Sequence, residues 1–98
     1  MCIQSPLRYQ WDERKRTENV AKHGVDFADA VAALEDPNNR TIADPDSQGE
    51  TRWITLGMDA LLRVLLVVWT ERGESGGVLR IISARRASRG EARHYSGA

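Results

Sequence analysis

One cysteine, Cys2, is the whole thiol inventory of this 98-residue sequence, which excludes both a disulfide framework and a thiolate set for structural zinc. Histidines number two and aromatic residues make up 6% of the chain, so neither an imidazole cluster nor a broad stacking surface is on offer. The three prolines, Pro6, Pro37 and Pro45, fall outside every periodic segment, and no repeat or low-complexity tract divides the chain. A single domain over residues 1–98 is expected. The longest apolar run, residues 64–69, is far short of the ~20 residues that span a bilayer. The expectation is a cytoplasmic protein with no membrane partner. A domain of this length has little interior to hollow out, so no cofactor and no metal site are expected.

Net charge is also missing, because 14 basic residues cancel 14 acidic ones. That balance would argue against a nucleic-acid partner, but the charges are not mixed evenly. Residues 26–50 hold seven acids and one base, net −6, whereas residues 80–93 hold five arginines and one acid, net +4. The chain is bipolar, with a basic segment suited to phosphate and an acidic one apart from it.

Large and polar residues alternate over residues 7–11, the period of a half-buried strand. Asp12 then caps a helix through His23, with Glu13 in its first turn, Lys22 and His23 in its last, and Gly24 at the left-handed stop. Its apolar residues are Val20 and Ala21 alone, so a narrow packing seam is expected. Asp26 caps a second helix to about residue 35, with Phe27, Ala30, Val31 and Leu34 as its stripe. Strand signals follow at residues 53–58, 61–70 and 78–85, with a possible edge strand at 40–43. The run at 61–70 does not alternate, which marks a central strand buried on both faces. A glycine-rich hairpin loop covers residues 71–77, and residues 88–95 suit a short terminal helix. The fold class is α+β: two N-terminal helices, an antiparallel sheet of about four strands and a short C-terminal helix.

Two stretches exceed what packing requires. Trp11-Asp12-Glu13-Arg14-Lys15 leads to Asn19 and then Lys22-His23-Gly24-Val25, with Phe27 and Ala30 beyond. The second runs from Arg80-Ile81-Ile82-Ser83-Ala84-Arg85 through Glu91 to Tyr95, and Arg52 with Gly57 forms a weaker middle element. In this order the motifs resemble the BrnT toxin family over nearly the whole chain. The resemblance implies a RelE-like fold and endoribonuclease activity without metal. It further implies a cognate small antitoxin that blocks the toxin and binds operator DNA, the toxin meeting that DNA only through its partner. The alternative is a catalytically silent toxin-fold protein that binds antitoxin and tunes operator occupancy.

Such cleavage needs few parts, since the nucleophile is the 2′-hydroxyl of the RNA substrate itself. A base takes that proton, cations stabilise the phosphorane-like transition state, and an acid protonates the leaving 5′-oxygen. Arg80, His23, Glu91 and Tyr95 are the catalytic candidates; Lys22, Arg52, Arg85 and Arg86 are the RNA-binding ones. His23 brings an imidazole suited to proton transfer, but at a helix end it and Lys22 serve equally well as complements to the helix dipole. By period two Arg80 shares a face with Ile82, Ala84 and Arg86, and Arg85 points the other way unless a bulge intervenes. Arg80 and Arg86 are therefore the expected phosphate contacts. Glu91 is either a proton acceptor or a cap and ion-pair partner, with the structural role weighing more. Tyr95 either stacks on a base or packs the last helix, and Trp11, Trp53 and Trp69 read as core or strand-edge residues.

Overall fold

The computed structural model describes residues 8–73 and 77–95. Cys2, Leu7 and part of the glycine-rich loop lie outside the described residues. The elements run β1 (Arg8–Gln10), α1 (Glu13–His23), α2 (Phe27–Leu34), β2 (Arg40–Ala43), β3 (Trp53–Met58), β4 (Val64–Arg72), β5 (Val78–Arg86) and α3 (Arg89–Ala92). The five strands form one sheet in the order β1-β5-β4-β3-β2. The sheet therefore has five strands rather than four and is not wholly antiparallel, because β1 pairs with β5 in parallel. A parallel edge arises because α1, α2 and three strands separate β1 from its partner, so no hairpin constrains its direction.

Both helices begin where the sequence places them. The Asp12 carboxylate accepts from the amides of Arg14 (2.8 Å) and Lys15 (3.3 Å), and Gly24 ends α1 at φ +70°. The expected apolar seam of α1 does not form: Val20 is 42% exposed, and the buried residue of the helix is Asn19. Its amide donates to the carbonyls of Val25 (2.8 Å) and Ala84 (2.7 Å) and accepts from Ala84 N (3.2 Å). α1 is thus fastened to β5 by a polar clamp. On the same side of the sheet, Val25, Phe27, Ala30 and Ala33 pack over Leu65, Val67, Leu79, Ile81 and Ala84 to form the core. Trp11 meets the Phe27 ring edge-on at 6.1 Å, while Trp53 and Trp69 stack at 6.0 Å. The tryptophans are structural, as read from the sequence.

β4 is the central strand, but it starts at Val64. Leu65 and Val67 are fully buried under the helices, whereas Leu66 and Val68 face the other side and are only half-buried. The run is apolar on both faces because helices cover one and the chain covers the other only in part. Leu61 and Leu62 lie in the turn before it, 64% and 78% exposed. Leu62 adopts φ +64°, a left-handed conformation that costs an L-residue about 1–2 kcal/mol. The turn is held by the buried Asp59 carboxylate, which accepts from Leu61 N (3.0 Å), Arg63 N (2.8 Å) and Arg63 Nε (2.9 Å). Where α2 crosses β3, Gly57 has no room for a side chain, since a Cβ there would overlap the Ala33 carbonyl.

Two substitutions test these contacts by chemical denaturation. Gly57→Ala should destabilise the fold by about 3 kcal/mol or more, the upper range for overpacking, because the obstruction is backbone. Leu62→Gly should instead raise stability by up to about 1 kcal/mol, since relief of left-handed strain outweighs the added freedom of the unfolded chain.

Candidate functional site

The face of the sheet opposite α1 and α2 takes its character from one irregularity. Between β4 and β5 the register slips: Val68 lies opposite Ser83 but Trp69 opposite Ile81, so Ile82 is an extra residue. Arg80 then pairs with Thr70 and Arg85 with Leu66, and these β4 partners share a face, being four residues apart. Arg86, opposite Leu65, turns to the helix side. The expected pairing of Arg80 with Arg86 is therefore reversed by a bulge, and Arg80 and Arg85 are the two that stand together.

Around Arg80 the neighbours are polar. Its Nη1 donates to Gln10 Oε1 (2.7 Å) on β1. Asp12 is held below the usual carboxylate range by the amides of Lys15 and Arg14, with the Arg80 charge adding to them. Thr70, beside Arg80, is buried and donates to Thr51 O (2.7 Å). Arg52 precedes Trp53, which pairs with Trp69, so it flanks Thr70 on the side away from Arg80. Its Nε is buried without a hydrogen-bond partner. A buried guanidinium donor with no acceptor is costly.

At the other end of the face Arg85 grips Glu91 with two parallel bonds, Nη1 to Oε1 (2.9 Å) and Nη2 to Oε2 (2.8 Å). Glu91 also accepts from Ser88 N (2.8 Å) and its own amide donates to Ser88 Oγ (3.1 Å), closing a capping box at α3. The Arg85 guanidinium above all, helped by the Ser88 amide and opposed by burial, lowers Glu91 from the ordinary 4.5 to about 2. At neutral pH this carboxylate is an anchor and a very weak base. Next to it opens a groove of about 450 Å³, lined by Arg40, Ile42, Ile54, Leu56, Leu66, Glu91 and His94. His94 was not among the sequence candidates. Its placement three residues beyond Glu91 is the signal that could have found it.

The remaining candidates lie elsewhere. Tyr95 is buried and its hydroxyl donates to the Asp36 carboxylate, which raises the phenol above its usual range and also accepts from Met58 N (2.8 Å). The ring is committed to fastening the chain to the end of α2. Lys22 and His23 close α1 on the helix side, next to Gly24, whose carbonyl accepts from Arg63 Nη1 (3.4 Å). Arg86 lies on that same side. The structure brings Arg52, Arg80, Arg85 and Glu91 to one face and leaves Lys22, His23, Arg86 and Tyr95 off it.

A family model described as "Ribonuclease toxin, BrnT, of type II toxin-antitoxin system" matches residues 11–91. The chain belongs to the BrnT family of ribonuclease toxins. Its fold is similar to the crystal structure of the Brucella abortus ribonuclease toxin, BrnT, with 30% identity and a TM-score of 0.65, over 86% of this chain and 100% of that one. Among curated proteins no sequence matches. The BrnT match covers the first motif whole and the second from Arg80 to Glu91, the carboxylate that holds Arg85, and Tyr95 lies beyond it.

A carboxylate lowered in the folded state stabilises the fold above its unfolded value and loses that effect as pH falls through its folded value. Glu91→Gln should therefore unfold at lower denaturant than the unaltered BrnT-family chain at pH 7. The gap should narrow steadily as pH falls from 4.5 toward about 2. A gap independent of pH would show that the Arg85–Glu91 pair contributes no linked stability.

Proposed function

We propose that the chain is a metal-independent endoribonuclease that cuts RNA on the open sheet face and is neutralised by a cognate antitoxin in the cytoplasm. One observation carries the reading: the β5 bulge sets Arg80 and Arg85 on the same face, opposite α1 and α2, with Arg52 across Thr70 from Arg80. Two guanidinium groups on either side of Thr70 suit one phosphate, and Arg85, about 13 Å along the strand at ~3.3 Å per residue, suits a neighbouring one. Membership of a ribonuclease toxin family supports RNA as the polymer.

The reaction in this reading is transesterification. The 2′-oxygen loses its proton and attacks phosphorus, the bond to the 5′-oxygen breaks, and that oxygen takes up a proton, leaving a 2′,3′-cyclic phosphate and a 5′-hydroxyl. Arg80, with Arg52, stabilises the charge gathered on the phosphorane oxygens. Glu91 acts by holding Arg85, and Tyr95 by fastening the chain end against Asp36. Lys22, His23 and Arg86 meet RNA that leaves the face past the end of β5. The RelE-like kinship and the antitoxin's hold on operator DNA belong to the same reading.

Incubating the purified protein with single-stranded RNA in EDTA tests it. Products ending in cyclic phosphate are expected, and antitoxin binding without products would identify a silent toxin-fold protein. Arg80→Ala should lower the cleavage rate by roughly 10²–10³-fold with the unfolding midpoint and antitoxin binding retained. Arg80→Lys should recover only part of the rate, because a point charge cannot reproduce the planar fork. Full activity in Arg80→Ala together with inactivity in His23→Ala would move the site to the helix side.

A further inference from the structure

β2 ends the sheet, and all four of its residues are exposed. An open strand edge is a template for another backbone, and proteins usually blunt it with lysine, proline or a bulge. Here Arg40-Thr41-Ile42-Ala43 carries one charge, no proline, and an isoleucine that is 62% exposed. Ile42 pairs with Ile54 and Arg40 with Leu56, so the edge slopes directly into the groove floored by Ile54, Leu56 and Leu66. The unprotected edge and the apolar groove form one continuous surface.

We propose that this surface receives an extended segment of the antitoxin, which pairs with β2 as a sixth strand and sets alternate apolar side chains into the groove. The inference rests on the reading of the chain as an antitoxin-controlled toxin. A free strand edge presents alternating amide and carbonyl groups, which a peptide backbone complements and an RNA backbone does not. Among the described residues no Phe, Tyr or Trp lines the groove, which leaves the exposed His94 imidazole at its rim as its one ring and gives it no row of stacking platforms. Its rim is Arg40 and His94, and its acid, Glu91, is already bound by Arg85. The side chains of the segment that point to the rim are therefore acidic.

The experiment measures binding of the purified antitoxin to the full chain by calorimetry. Ile42→Glu should weaken the complex at least tenfold while leaving the unfolding midpoint and the RNA cleavage of the free protein unchanged. Arg40→Glu should also weaken it, with a loss that shrinks at high salt. In the unaltered complex, amide hydrogen exchange across residues 40–43 should slow. Unchanged affinity in both variants with unprotected amides overturns the proposal, as does failure of the unaltered chain to bind. If Ile42→Glu instead dissociates a dimer of the free chain, or raises KM for RNA while antitoxin affinity holds, the surface belongs to a second copy or to substrate and the proposal falls. Should Ile42→Glu misfold, the charge variant and the exchange measurement decide. The affinity and exchange readouts do not require cleavage by the unaltered protein, so loss of the ribonuclease reading and loss of this one are distinguishable.

Discussion

The fold depends on a buried asparagine. Asn19 satisfies both strand groups of Ala84 and the carbonyl of Val25, and through those three bonds α1 is held to β5 although its own apolar residues face water. An apolar seam would tolerate sliding, since aliphatic contacts carry little direction; an amide that donates two bonds and accepts one has a single position. The clamp also fixes the loop that carries Val25 and leads into Phe27, two of the fully buried core residues, so the placing of α2 follows from it. Loss of such a group would leave the polar atoms of Ala84 unpaired in the interior, which costs more than the bond itself contributes.

With both helices committed to one side, the other side of the sheet is left to arginine and aliphatic side chains. The division is sharp because β4 alternates strictly, Leu65 and Val67 inward, Leu66 and Val68 outward, while β5 does not. One extra residue in β5 changes which arginines are neighbours. The sheet thus obtains a cationic surface from a strand whose period-two pattern, read flat, would divide its cations between two faces.

Local signals in the sequence were sufficient for the elements they govern. Asp12, Gly24 and Asp26 mark helix ends through backbone geometry that nearby residues decide, and the apolar density of residues 64–69 places the central strand. What failed to show depended on partners far along the chain. The parallel pairing of β1 joins residues about seventy positions apart, and the Tyr95–Asp36 contact spans fifty-nine. The bulge was equally hidden, for Ile81-Ile82-Ser83 contains no glycine to announce it. Arg80, Arg52, Arg85 and Glu91 were recognised as special from their motifs, yet only the register could tell which of the arginines share a surface.

The parallel β1–β5 edge has a consequence for how the molecule comes into being. β1 is made some seventy residues before β5, so β1 has no place in the sheet until synthesis has passed residue 86. Because Asn19 also waits for Ala84, α1 has nothing to dock on before then. Non-local pairing of this kind folds late and as a unit. A chain translated only part of the way to residue 86 therefore lacks both the clamp and the arginine face.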